Sequence, residues 1–183
     1  PIGPAHRKVQ FYSGTPFFTL HGTMVSGILL GDAGANDDTR GIAYGARMTF
    51  GGLPFLTEPS ITGLFSQHLS LGAPVSNNSW GDDGTTAYNG PCRAIDAFAF
   101  ENPTHLSIFA VSNLFTIHNP ENAKNLIAVG NSFNAPAEGN MCDNAAGVGP
   151  TSDGRIKPDV TAPGCFVFTA ATNGGCGTQQ NSG

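Results

Sequence analysis

The chain has 183 residues, of which 11% are charged, with 8 basic and 13 acidic side chains. The low charge excludes salt-bridged coiled coils and charged disordered tails. The 25 glycines and 13 prolines do not follow the G-X-Y repeat of collagen, and they predict many turns. A net charge of −5 without a basic stripe argues against a nucleic-acid partner, and no apolar run approaches the roughly 18 residues of a membrane span.

Predicted strands and helices alternate along the chain. Short apolar runs predict strands at 46–50, 73–80, 106–112, 126–130 and 163–170. Apolar positions at helical spacing predict one helix from about Pro59 to Gly72 and another from Pro91 to Pro103, whereas 131–153 is predicted as loop. This alternation predicts an α/β fold with three layers, a mostly parallel β-sheet and helices on both faces, in a single domain over residues 1–183.

Uncharged polar residues follow two of the predicted strands. One cluster is NNSWG at 77–81, and the other begins at Ser112 and Asn113. Ligands of parallel sheets bind beyond the carboxyl ends of the strands. Neutral donors and main-chain amides at that edge favour an uncharged, backbone-like ligand over a phosphate.

The segment HGTMVSG at 21–27 places a histidine at the start of a predicted helix. The apolar face of that helix consists of Met24, Val25, Ile28 and Leu29. A neutral imidazole at the positive end of a helix dipole can accept a proton, although a helix-capping histidine is the commoner interpretation of His21 alone. Gly22 and Gly27 predict close approach of neighbouring backbone.

Six blocks, in one order along the chain, resemble those of the subtilisin-like serine proteases, the subtilases. HGTMVSG is similar to the HGTHVAG block around the catalytic histidine, and FAVSN at 109–113 is similar to the FAAGN strand that carries the oxyanion asparagine. SDGRIKPDVTAPG at 152–164 is close to the family's DGRIKPDVVAPG. The remaining blocks are GIAYGA at 41–46, NNSWG at 77–81 and NLIAVG at 125–130.

The resemblance implies a subtilisin-like fold, a serine endopeptidase and a role for particular residues. His21 would be the general base, and Asn113 would donate its side-chain amide to the developing oxyanion. Main-chain groups of Ser79, Trp80 and Gly81 would pair with a peptide substrate as an added strand, although the Trp80 side chain could equally belong to the core.

Two members of the family's Asp, His, Ser triad have no matching block here. No acidic residue precedes Asp32, and the final N-S-G at 181–183 matches the residues just before the family's T-S-M-A, so Ser182 is not the expected nucleophile. We therefore expect an internal fragment of a catalytic domain, incomplete at both ends and inactive alone. In addition, the glycine that precedes the family's oxyanion asparagine is Ser112 here.

The alternative function is a catalytically inactive peptide-binding module or pseudoprotease fragment. Replaced residues in the missing blocks would favour the module, and intact ones the enzyme. An α/β hydrolase or a dinucleotide-binding protein lacks support, because the sequence has no G-x-S-x-G elbow and no G-x-G-x-x-G after its first strand.

The four cysteines show no zinc-ligand spacing. We expect a disulfide between Cys165 and Cys176, and the even cysteine count with the low charge favours a secreted protein. The first residues, PIGPAHRK, carry neither an initiator Met nor an apolar leader, which predicts a processed or truncated product. We expect a monomer that acts on polypeptides and needs no cofactor for catalysis.

Further acidic and histidine residues have two interpretations each. An oxygen-rich loop could hold the structural Ca²⁺ that subtilases often carry, or could be solvated, and its spacing is not that of an EF-hand. That loop contains Asp32, Asn36, Asp37 and Asp38. Asp82 and Asp83 could favour basic side chains in substrates or form a plain turn, and His68 is expected to be packed or at the rim of a helix.

Overall fold

The computed structural model describes residues 8–14, 19–32, 40–142, 146–171 and 177–183. Internal contacts divide the chain into two compact units, which are described separately: unit 1 comprises 1–52 and 166–182, and unit 2 comprises 53–165 and 183. The single domain expected from the sequence stays a prediction. None of the described helices is long and apolar enough to cross a bilayer.

The helices and strands follow the predicted alternation. In chain order they are β1 (Val9–Ser13), α1 (Leu20–Leu30), β2 (Met48–Gly51), α2 (Glu58–Ser70), β3 (Val75–Asn78), α3 (Gly90–Glu101), β4 (Leu106–Ala110), β5 (Ile127–Ser132), β6 (Val160–Pro163), β7 (Val167–Ala170) and β8 (Thr178–Asn181). All three predicted helices are present. Strands β1, β6 and β8 were not predicted, because none of them has the continuous apolar run that marked the others.

The single strand predicted at 163–170 is wrong, since two strands occupy this region and belong to different units. The break follows from local backbone geometry. The main-chain N–H groups of Gly164 and Cys165 both donate to the Ser132 carbonyl, at 3.0 and 3.3 Å. Phe166 then adopts a positive φ of 52°, which no extended strand can contain.

In unit 1, β1 pairs in parallel with β2, and β7 pairs antiparallel with β8. Helix α1 begins where Thr19 accepts a hydrogen bond from the Gly22 main-chain N–H at 2.9 Å. It packs on β7 through Gly27: a methyl group on this glycine would lie 2.6 Å from the Ala170 nitrogen. The predicted close approach of backbone at Gly27 is therefore confirmed.

In unit 2, four strands form one parallel sheet in the order β3-β4-β5-β6. The prediction of an α/β fold with a mostly parallel sheet is confirmed. Helices α2 and α3 pack together through Phe65 and Phe98, whose ring centroids are 5.5 Å apart. The buried apolar cluster beneath them includes Ile61, Phe65, Ile95, Phe98, Phe109, Val111, Ile117 and Leu126.

The disulfide expected between Cys165 and Cys176 is wrong. Cys165 is bonded to Cys142 instead, across 23 residues and with 5.5 Å between the Cα atoms. Parallel pairing of β5 with β6 brings the segments that follow these strands together, because Ser132 lies opposite Pro163. Sequence proximity favoured Cys176, which lies outside the described residues, whereas sheet pairing selected a partner more distant in sequence.

Candidate active site

The carboxyl ends of β3 and β4 bring the two polar clusters of unit 2 side by side. The strands are parallel and in register, with Asn78 opposite Phe109. Neighbouring strands lie about 4.8 Å apart, so the segments Ser79–Gly81 and Ser112–Asn113 leave the same edge of the sheet as neighbours. This is the edge at which parallel sheets bind ligands.

The Trp80 side chain is held by packing. Its Nε1 donates to the Asn78 side-chain oxygen at 3.1 Å, and its ring meets Phe109 edge-on with centroids 5.0 Å apart. The indole lies against the apolar cluster of the unit. Its environment agrees with the core interpretation of this side chain and leaves the main chain of the segment as the part suited to a peptide.

Gly81 lies where the backbone of another segment comes very close. A methyl group at this position would lie 2.8 Å from the main-chain oxygen of Asn119, which is itself buried. The same oxygen accepts the Asp82 main-chain N–H at 2.7 Å. The Asp82 carboxylate accepts the Gly84 main-chain N–H at 2.9 Å, an arrangement that agrees with the plain-turn interpretation of this residue.

Ser112, where the family has glycine, is fixed on several sides. Its Oγ donates to the Thr116 carbonyl at 3.0 Å and lies 3.2 Å from Nδ1 of His118. Its carbonyl accepts the Gly147 main-chain N–H at 2.9 Å. Its own N–H donates to Oε1 of Glu121 at 3.2 Å. The hydroxyl therefore adds contacts to the turn.

Asn113 follows Ser112 directly and is exposed. Its carboxamide makes no hydrogen bond to any other described residue, so both the oxygen and the NH₂ group are available to a ligand. The residue before it is anchored through both the main chain and the side chain. The result is an exposed donor on a fixed turn.

Glu121 was not singled out by the sequence, yet it bonds one site segment and lies close to the other. Its side chain is only 2% exposed, and Oε1 accepts the N–H groups of Ser112 and His118, the latter at 2.7 Å. Oε2 lies 3.6 Å from the position of a methyl group on Gly81. A single glutamate after a proline in a polar stretch carries little signal, since such a residue is normally solvated.

A layer of buried polar groups supports the site from below. The Asn119 amide donates to Oδ1 of Asn89 at 2.6 Å and to Sγ of Cys92 at 2.9 Å, and that thiol donates to Oδ1 of Asn122 at 2.8 Å. Burial raises the pKa of the Cys92 thiol to about 11. The thiol is therefore protonated near neutral pH and serves as a packed hydrogen-bond donor.

His21 lies in unit 1, as the second residue of α1, and its side chain is exposed. The predicted position at the amino-terminal end of a helix is confirmed. A cavity of about 310 Å³ in the same unit lies between α1 and strands β1 and β2. Its walls include Gly27, Met48 and Phe50, and they are predominantly apolar.

The candidate calcium loop falls mostly on residues outside the described part of the chain, namely Asn36, Asp37 and Asp38. The one described member, Asp32, accepts a hydrogen bond from Nε of Arg40 at 3.3 Å. No group of three or more His, Cys, Asp or Glu side chains suited to a metal ion occurs among the described residues. A structural Ca²⁺ therefore stays a prediction.

Two histidines of unit 2 lie away from the carboxyl ends of the strands. His68 on α2 is partly buried, as expected, and His105 is 7% exposed beside the rings of Phe65 and Phe98. Burial lowers the pKa of both imidazoles, and the neighbouring His68 lowers that of His105 further. The lowered pKa favours the neutral form of both imidazoles in the folded protein.

A family model described as the subtilase family matches residues 8–183. The chain belongs to the subtilase family. The curated relatives include the serine protease/ABC transporter B family protein tagA of Dictyostelium discoideum, which is 21% identical over an alignment of 273 residues covering 95% of this chain and 16% of that protein. The protein tagD of the same organism is 46% identical over 43 residues, which cover 24% of this subtilase chain and 2% of tagD.

Solved structures support the same fold. The prenylagaramide maturation protease PagA superposes with a TM-score of 0.69 at 24% identity, over 89% of this chain and 57% of PagA. The patellamide maturation protease PatA superposes with a TM-score of 0.69 at 22% identity, over 100% of this chain and 69% of PatA. The CspB protease of Clostridium perfringens superposes with a TM-score of 0.72 at 14% identity, over 89% of this chain and 66% of CspB. The subtilase chain thus spans a sixth of tagA and a little over half of PagA.

Proposed function

We propose that the protein containing this chain is a serine endopeptidase that hydrolyses peptide bonds through an Asp/His/Ser triad. His21 supplies the base, and segments adjoining this chain supply the acid and the nucleophile. Membership of the subtilase family over residues 8–183 supports the reaction class. The chain alone, without those segments, is expected to be inactive.

One geometric observation carries the assignment within unit 2. Asn113 presents a carboxamide without a partner among the described residues, on an anchored turn beside the end of β3. A fixed amide donor that is not already paired can bind the negative oxygen that forms when a carbonyl is attacked. A solvated surface asparagine would not need an anchored turn.

The proposed chemistry assigns a separate step to each residue. His21 takes the proton of the attacking serine hydroxyl and returns it to the leaving amine. Asn113 stabilises the oxyanion of the tetrahedral intermediate, and in subtilisin itself the loss of such a donor lowers turnover by about 10²–10³. Main-chain groups of Ser79, Trp80 and Gly81 hold the substrate as an added strand and read peptide backbone.

The experiment is stoichiometric labelling of the full-length protein with a fluorophosphonate, which reacts with an activated serine. We expect labelling of a serine in the sequence following residue 183, loss of labelling in H21A, and unchanged labelling in H68Q, a matched histidine away from the strand ends. Absence of labelling at every pH, with retained binding of an extended peptide, would support the inactive peptide-binding module instead.

We further propose that the protein is secreted, monomeric and active without a cofactor. The Cys142–Cys165 disulfide supports an oxidising compartment, because thiols in the cytosol are kept reduced. Culture-medium fractionation tests the location, and size-exclusion chromatography with light scattering tests the oligomeric state. Addition of a calcium chelator tests whether Ca²⁺ contributes to stability.

A further inference from the structure

Glu121 combines three features that an ordinary structural glutamate lacks. Its carboxylate is almost fully buried, at 2% exposure, and within the described part of the chain it forms no ion pair. It lies between the two segments of the candidate active site. Burial of an unpaired charge is costly, so its hydrogen bonds must offset that cost.

Those hydrogen bonds all come from the main chain. Oε1 accepts the N–H of Ser112 at 3.2 Å and the N–H of His118 at 2.7 Å. A charged acceptor forms stronger bonds than a neutral one, and two donors on one oxygen fix its position. The peptide that leads into Asn113 is thereby tied to the segment 118–121.

The other oxygen of Glu121 is close to the opposite side of the site. Oε2 lies 3.6 Å from the methyl position of Gly81, and a larger side chain there would also meet the Asn119 carbonyl at 2.8 Å. The carboxylate therefore bonds the turn that leads into Asn113 and lies close to Gly81 of the other segment.

We propose that Glu121 is a positioning residue that holds the oxyanion donor Asn113 at its working distance from the substrate segment. This inference rests on the proposed peptidase function. The Ser112 hydroxyl makes only local contacts to Thr116 and His118, whereas Glu121 is the group that also approaches the Gly81 segment. Exchange of the charged carboxylate for a neutral amide weakens the bond from the Ser112 N–H and loosens the turn that holds Asn113 against the reacting carbonyl.

The test is a double-mutant cycle in the full-length protein, with variants E121Q, N113A and E121Q/N113A. Rates are expressed per active site titrated with a fluorophosphonate, so loss of folded protein does not enter kcat. We expect E121Q to lower kcat about tenfold with KM within about twofold, and N113A to lower kcat by about 10²–10³. The double variant should be no slower than N113A, because Glu121 acts through Asn113.

The matched control is D96N. Asp96 accepts the main-chain N–H groups of Lys124 and Asn125 at 2.9 and 2.6 Å, so the same exchange of carboxylate for amide occurs at a similar site away from Asn113. We expect D96N to lower the melting temperature and leave kcat within about twofold. If E121Q does not fold, E121D replaces it in the cycle, because it keeps the charge but withdraws the oxygens by about 1.5 Å.

The outcomes separate the two proposals. If N113A retains full kcat, the oxyanion assignment and thus the proposed function of this site fail. If N113A is slow but E121Q matches the wild type, or if the two losses multiply in the double variant, Asn113 keeps its role and the positioning role of Glu121 is overturned. A fall in kcat for D96N equal to that of E121Q would also overturn it.

Discussion

Replacement of Gly81 by alanine tests the close approach on which the shape of the candidate site depends. The added methyl group would lie 2.8 Å from the Asn119 carbonyl oxygen, about 0.6 Å inside an ordinary contact. Asn119 is 1% exposed, and its oxygen already accepts the Asp82 N–H at 2.7 Å. The oxygen therefore cannot move without disturbing buried packing and a hydrogen bond.

The expected loss in the free energy of unfolding follows from three contributions. Gly81 is itself exposed, but its added methyl group would meet a buried main-chain oxygen, and steric crowding of this kind costs about 1–3 kcal/mol. Weakening of one hydrogen bond costs about 1 kcal/mol. The φ of Gly81 lies outside the left-handed region, so alanine is compatible with the backbone there. Because alanine also reduces the entropy of the unfolded chain, it contributes a stabilisation of about 0.4–1 kcal/mol. The net expectation for G81A is a loss of about 2–3 kcal/mol.

The assay is urea denaturation of the wild type, G81A and the matched variant G63A. Gly63 lies inside α2, and a methyl group there would meet nothing within 4 Å. The same chemical change should therefore stabilise the protein at this position, by about 0.5–1 kcal/mol through helix propensity. We therefore expect the free energy of unfolding to fall in G81A and to rise in G63A. If G81A is neutral, or if both variants shift stability in the same direction, the close approach at Gly81 is refuted.

Three further outcomes are expected from individual contacts. Replacement of both Cys142 and Cys165 by serine should lower the free energy of unfolding by about 3 kcal/mol, because the disulfide closes a loop of 23 residues. Peptide mapping without reductant checks the pairing. A fragment that joins Cys165 to another cysteine would contradict it. The free energy of unfolding should fall as pH drops below about 6.5, because burial lowers the pKa of His68 and His105 and the unfolded chain then takes up more protons than the folded one. Urea titrations at about pH 7.5 and about pH 5.5 measure this fall. If H105Q loses as much unfolding free energy between these pH values as the wild type does, the role of His105 is contradicted. The R155K variant should lose about 1–3 kcal/mol in the free energy of unfolding, because Arg155 donates to two main-chain carbonyls as well as to a carboxylate, and one ammonium group cannot make all of these bonds. A loss below about 0.5 kcal/mol in thermal or urea unfolding would refute this geometry.

Local patterns were sufficient for the elements with strong apolar periodicity. The helix that begins next to His21 was predicted because four apolar residues share one face, and Thr19 caps its first turn. The parallel arrangement of β3 and β4 followed from the strand, helix, strand order around α3. In these cases the pattern of contiguous residues was enough to identify the type of element.

Local patterns failed where a segment depends on partners far along the chain. The strand expected at 163–170 is divided because Gly164 and Cys165 bond to Ser132, and the Cys165 disulfide goes to Cys142 for the same reason. Neither partner can be identified from the segment itself. Both contacts depend on the pairing of β5 with β6, which brings the two segments together.

The sequence by itself determined the class of the fold, the family and the residues at the strand ends, since periodicity and motif order are properties of contiguous residues. Only the tertiary structure decided what surrounds them: that Trp80 packs, that Ser112 is anchored, and that Glu121 is buried between the two segments of the site. The physical reason is that the burial of a polar group depends on what covers it, and the residues around Glu121 in the sequence do not show that its carboxylate is covered and bonded to main-chain N–H groups.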